Sequence, residues 1–226
     1  MIEKYYNGVI EQVAGGIGNV EHNSILVRYS NDFSIWDLES VNHYKDQTDI
    51  FFTCHEFSYN KIAEAYEPYL GLIRQMFHKY CSGTLEEFME ECDVYKLQRP
   101  VFESYFEKGF CERTEQILID EVEYEQERMR NSIVTMLQKL SEIRPVVIVL
   151  NRFQLASKST MQLSNSLLQV KNKNIGIVLG VNDVQSIPEF AHEEWDAICE
   201  SMDDRNMVYH IGNAGRNLSL IHISEP

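Results

Sequence analysis

Apolar residues recur along this chain with two periods, one helical and one strand-like, and their alternation outlines the fold. Ile2, Tyr5, Tyr6, Val9, Ile10 and Val13 fall on one helical stripe, which Gly15-Gly16 ends. Ser24 to Tyr29 (SILVRY) then reads as a first strand, followed by a helix from about Ser34 to Tyr44. Asp49 to Cys54 (DIFFTC) reads as a second strand. The helix after it carries Ile62, Ala65, Tyr66, Tyr69, Leu72, Ile73, Met76 and Phe77 on one stripe, with Pro68 kinking it or splitting it in two. Residues 83–143 read as wholly helical: Thr84 to Cys92, about Pro100 to Lys108, and a long helix from Thr114 to Ile143. On that helix Ile117, Val122, Ile133, Val134, Leu137, Leu140 and Ile143 mark the apolar face. Glu121 to Arg130 is mostly charged and is expected to project into solvent, because burying unpaired charges is costly.

The strongest single signal is Val146 to Leu150, five consecutive aliphatic residues entered through Pro145 and left at Asn151-Arg152. The run is too short for a helix and too uniformly apolar for a half-exposed strand, so it predicts a central parallel strand covered on both faces. Ser157 caps a helix through about Val170, with Met161, Leu163, Leu167, Leu168 and Val170 turned inward. Asn174 to Val181 is a fourth strand, Pro188 to Met202 a helix, and Met207 to Ile211 a fifth strand. The pattern predicts one α/β domain over residues 1–217: a five-stranded parallel sheet between helical layers, with a large helical excursion between strands two and three.

Composition narrows the possible partners. A chain of 226 residues with 44% apolar content suffices for one sizeable core. Its 35 acids against 20 bases, a net charge of −15, argue against nucleic acid, which demands a clustered Lys/Arg surface. No apolar run approaches the roughly 20 residues that span a bilayer, and MIEKYYNGVIEQ lacks the apolar centre of a signal peptide, so the expectation is a cytoplasmic protein without membrane contact. Cys54, Cys81, Cys92, Cys111 and Cys199 are widely spaced and never form CxxC, and the seven histidines are equally scattered. Reduced thiols and no metal site are expected. Cys54-His55 is a poor nucleophile-base pair, because adjacent strand residues point to opposite faces.

Candidate chemistry lies just past the carboxyl ends of the strands, where α/β proteins place their ligands. The glycine cluster GGIGN (Gly15 to Asn19) precedes the first strand and reads as a helix end and turn. A phosphate loop belongs after that strand. The residues there are Ser30, Asn31, Asp32, Phe33, Ser34 and Ile35, with no glycine, and no lysine follows until Lys45. Side chains at every position obstruct backbone approach to a phosphate, and Asp32 would repel one.

Thr53 to Phe77, Arg144 to Leu168 (RPVVIVLNRFQLASKSTMQLSNSLL) and Asn174 to Asp183 (NIGIVLGVND) resemble, in type and spacing, three segments of one family. These are the second strand with its helix, the Walker B strand with its helix, and the sensor strand of the AAA-like, STAND-type P-loop ATPase modules of bacterial signalling proteins. The resemblance covers roughly residues 20–213. It implies an additional-strand, three-layer core in which Ser24–Tyr29 lies between Met207–Ile211 and Asn174–Val181, then Val146–Leu150, with Asp49–Cys54 at the far edge. It also places Walker A on Ser30 to Ile35, the Walker B acids on Asn151 and Arg152, and the polar sensor near Asn182. The Walker A lysine with its adjoining Ser/Thr and the Walker B acids that phosphate and Mg²⁺ require are missing at those positions, so the resemblance implies the fold without the activity.

The resulting expectation is a catalytically degenerate ATPase-like regulatory or scaffold module, with no catalytic residues, no required cofactor and at most weak ATP binding. Its partners would be proteins or a covalently linked output domain. An alternative is an active ATPase with a non-standard phosphate site. A receiver domain is disfavoured, because it needs an aspartate where Asn151 stands and crossovers of ordinary length, although Asn31-Asp32 mimics its acid pair. Leu218 to Pro226 (LSLIHISEP) reads as a non-native tail, and the chain as a fragment of a longer protein.

Overall fold

Strands of β-branched and aliphatic residues pair in parallel to form the centre of the molecule. β1 (Ser24–Tyr29), β2 (Phe51–Glu56), β3 (Val146–Asn151) and β4 (Ile175–Asn182) lie in the order β2-β3-β4-β1, and the short β5 (Val208–Ile211) extends β1 at the edge. Val146 aligns with Phe51 on one side and Ile175 on the other, while Tyr29 aligns with Asn182. The computed structural model describes residues 2–19, 23–30, 33–45, 49–109, 122–184, 186–203 and 208–211. β3 and β4 are buried along their whole length, as an apolar run without alternation requires, whereas β2 is half-buried throughout.

Helices flank the sheet on both faces. A Cβ on Gly176 of β4 would strike Val13 of α1 (Ile2–Gly15), and one on Gly180 would strike Tyr6 of the same helix. Both glycines are therefore needed to seat α1 directly on β4. On the same face α2 (Glu39–Lys45) stacks Tyr44 on Phe52 of β2. The opposite face carries α3 (Tyr69–Tyr80), α6 (Val122–Ile143), α7 (Lys158–Val170) and α8 (His192–Asp203), with Arg28 of β1 reaching Trp195 and Cys199 of α8. Between α3 and α6, α4 (Leu85–Glu91) and α5 (Arg99–Lys108) pack their Phe88 and Phe106 rings on Phe77 of α3. Thr84 and Glu87 form a capping box at the start of α4, Gly109 ends α5 in the left-handed conformation, and Ser157 caps α7. Among the described residues no helix is long and apolar enough to cross a membrane.

Several expectations are corrected. β2 lies two residues later than read, because Phe51 and Phe57 donate to Pro145 and Asn151 of the neighbouring chain segment and so fix the register. In place of one helix from Ser34, a short 3₁₀ turn (Ile35–Asp37) precedes α2. The stripe before Pro68 is not helical: residues 57–68 form turns, Ile62 is 93% exposed, and Ala65 is exposed. Pro68 stands just before α3 because its ring and missing N–H are tolerated only at a helix start. Val122, Ile143 and Val170 sit at helix ends and are exposed instead of inward.

The charged half of α6 is only partly in solvent. Glu123, Glu127 and Arg128 are exposed, but Glu125 accepts from Gln98 Nε2 at its carbonyl (3.2 Å) and at Oε2 (3.4 Å), and the Arg128 guanidinium lies 4.4 Å from the Tyr95 ring. The segment before α5 thus engages Glu125 and Arg128, two of the charges that were expected to face water, while Glu123 and Glu127 do face it. Ile117, Cys111, Glu121 and residues 218–226 lie outside the described residues.

Candidate functional site at the carboxyl end of the sheet

The crevice beyond the strand ends is occupied by the chain's own side chains. Asn151 closes β3, is fully buried, and accepts a 2.8 Å hydrogen bond at Oδ1 from the Tyr29 hydroxyl at the end of β1. The bond crosses above Gly180 of the intervening β4, whose missing side chain leaves room for it. Tyr6, Tyr29 and Phe33 pack edge-to-face around it, with ring centroids 4.9 to 6.4 Å apart. Burial, followed by the proximity of Tyr29, Glu56 and Cys54, raises the Tyr6 phenol well above the usual tyrosine range. Among the described residues the Tyr6 hydroxyl, Ser30 Oγ and Asn151 Nδ2 are buried without a hydrogen-bond partner.

A second layer lies beside this aromatic plug. Glu56, the last residue of β2, accepts at Oε2 from the Ile35 amide (3.2 Å) and the Ser34 hydroxyl (3.3 Å), and its Oε1 pairs with Arg152 Nη1 at 3.2 Å. Arg152 follows β3 in the left-handed conformation (φ 53°), which turns its guanidinium across to β2. An internal carboxylate therefore holds the amide of the turn after β1. In a nucleotide site such an amide would face phosphate. Ser34 also caps that turn through Trp36 N.

On β4, Asn182 is buried, its Oδ1 accepts from Val184 N at 3.0 Å, and its own amide donates to Gln154 Oε1 at 3.3 Å. Of the positions singled out in the sequence, Phe33, Ser34, Ile35, Asn151 and Arg152 meet in the plug and the layer beside it. Ser30 borders them at the end of β1, Asn182 caps its own loop, and Asn31 and Asp32 lie outside the described residues. Sequence reading missed Glu56, Tyr6, Tyr29 and Gln154. Glu56 was hidden because the second strand was ended two residues early, and only tertiary contact reveals the tyrosines.

The chemistry available here is limited. Cys54, on the same face of β2 as Glu56, has its thiol pushed up to about 11, by burial first, partly offset by Lys45. It is thus a poor nucleophile at neutral pH. Across β2, His55 Nε2 lies 3.9 Å from Glu67 Oε1, and Lys61 Nζ lies 3.0 Å from the same oxygen. Burial lowers the His55 pKa, with Glu67 opposing and Lys61 reinforcing that direction. Among the described residues no group of three or more His, Cys, Asp or Glu is gathered to hold a metal ion. No protein-family model matches this chain, and no curated protein matches it either.

Proposed function

We propose that this chain is a catalytically degenerate ATPase-like module, of the additional-strand P-loop type, serving as a regulatory or scaffold unit in a bacterial signalling protein. The observation that supports it most is the Glu56 carboxylate, held by the Ile35 amide, the Ser34 hydroxyl and Arg152. An ATPase presents amides, a lysine and a metal-binding acid to its nucleotide. Here one amide serves an internal acid, an arginine replaces a metal-binding acid, and Tyr6, Tyr29 and Phe33 fill the space between. A strand-end crevice closed by the chain's own side chains suits a platform for protein partners or an attached output domain and does not suit turnover. ATP would find at most a weak, metal-independent slot for its adenine.

Phosphate release from millimolar Mg·ATP tests the reading. Neither the native chain nor the Asn151→Asp/Arg152→Asp pair should exceed the protein-free blank, because the acids alone do not rebuild a phosphate loop. Mg²⁺-dependent turnover by either protein would overturn the reading in favour of an active enzyme with a non-standard phosphate site.

A further inference from the structure

The opposite end of β2 carries a feature unrelated to the strand-end crevice. Among the described residues β2 is the outermost strand on its side of the sheet, and only one of its edges is paired. Phe51 and Phe57 donate their amides to the β3 side. By the alternation of a β-ladder, Phe52, Cys54 and Glu56 direct their N–H and C=O groups outward, and among the described residues no backbone group meets them. A groove of about 600 Å³ opens beside this edge, between the end of α2 and the flank of α3.

Among the described residues the charged side chains that line that groove are all basic. Lys45 stands on one side and Arg74, His78 and Lys79 on the other, with Phe51 and Phe52 at the base and, among the described residues, no carboxylate in the wall. This is unexpected in a chain of net charge −15. Three exposed bases elsewhere are paired with acids: Lys61 with Glu67, Lys158 with Glu194, and Arg128 with Glu125. Among the described residues Lys45 and Lys79 have none. The Lys79 ammonium rests instead over the Phe51 and Tyr80 rings, at 5.8 and 5.3 Å. Arg74 is anchored by donating to Phe106 O (2.7 Å) and Glu107 O (3.4 Å), so it supplies positive potential from a fixed position.

We infer that the edge of β2 and the basic groove beside it form a docking site for an extended acidic peptide, which adds to the sheet as a strand. The outward backbone groups would supply the main-chain hydrogen bonds. Lys45 and Lys79 lie on opposite faces of the sheet, so they would take carboxylates on neighbouring side chains, which a strand directs to opposite faces, and Phe52 and Phe51 would receive the apolar residues that follow on each face. A second copy of this chain is a poor occupant, because apposing two such edges would bring like charges together.

The probe is a fluorescein-labelled peptide of repeating Glu-Glu-Val-Val, which presents Glu and Val on both faces of a strand, matched in length to β2 and titrated into the full chain by fluorescence anisotropy. A dissociation constant in about the 1–100 µM range that weakens with salt is expected. Lys45→Glu/Lys79→Glu, two exposed positions whose folding is checked by a thermal melt, should weaken it about tenfold or more. N-methylation of alternate peptide amides should abolish binding while leaving the charge unchanged. The inference is overturned by no binding at about 1 mM, by equal binding of a Lys/Val peptide, or by equal binding of the N-methylated probe. It is also overturned if tripolyphosphate displaces the peptide at equal charge, which marks a plain anion site, or if sedimentation gives a dimer that the double variant dissolves. None of these outcomes depends on whether the strand-end crevice binds nucleotide.

Discussion

The Tyr29 hydroxyl and Asn151 Oδ1 are 2.8 Å apart although their strands are not neighbours, and the bond between them passes over Gly180 of β4. A buried hydrogen bond of this kind is costly to break from one side, because the remaining partner is left desolvated. Tyr29→Phe should therefore lose about 1–3 kcal/mol of unfolding free energy in urea. Tyr6→Phe should lose nothing measurable or gain slightly, since its hydroxyl is buried with no partner. Similar losses for the two variants would contradict the assignment of the bond to Tyr29.

Gly180 offers a complementary test. A Cβ there would strike the Tyr6 hydroxyl and lie 2.6 Å from Asn151 Oδ1. Gly180→Ala should cost about 1–3 kcal/mol, the usual range for overpacking a tight core. Adding Tyr6→Phe removes the nearest obstructing atom and should restore part of that loss, whereas strict additivity of the two changes would refute the contact.

The thiols offer a chemical check on burial. Burial pushes the Cys54 thiol up to about 11 and that of Cys92 up to about 12, with nearby lysines opposing in both cases. Neither should react with a disulfide reagent at pH 8 until urea unfolds the chain. Mass mapping of labelled cysteines under native conditions decides the matter, and fast labelling of Cys54 would show that its face of β2 is open.

The parts of this fold that were legible in the sequence are those carried by local pattern. Val146–Leu150 identified itself as the central strand because five aliphatic residues in a row have no half-exposed alternative. Ser157 announced a helix start through its side chain. What failed depended on tertiary context. The apolar spacing of Ile62, Ala65 and Tyr66 mimics a helix, yet those residues precede a proline and belong to turns. Asn151 and Arg152 were legible as the polar pair that ends the central strand, but their partners Tyr29 and Glu56 lie 122 residues away and on another strand, and no local period encodes such pairings.

Acid should destabilise the protein in a window set by His55. Its ring pKa is lowered in the folded chain, mainly by burial, from an ordinary value of 6.5. As pH falls below 6.5 the unfolded chain takes up the proton first, so stability declines until the native ring also protonates. His55→Gln should flatten that part of the stability profile, and proton NMR should place the native titration midpoint below 6.5. A midpoint above that value would mean that the Glu67 carboxylate, 3.9 Å away, outweighs burial.

The proposed function requires that Glu56 and the rings of Tyr6, Tyr29 and Phe33 occupy the space a nucleotide would need. Isothermal calorimetry of Mg·ATP against residues 1–217 tests it most directly. The expected result is no saturable Mg²⁺-dependent heat, together with an unchanged melting temperature, since a ligand at or below its dissociation constant adds under about 0.4 kcal/mol to folding. Micromolar binding that requires Mg²⁺ would contradict the claim, because it would mean that Glu56 and the Tyr6-Tyr29-Phe33 plug yield to phosphate.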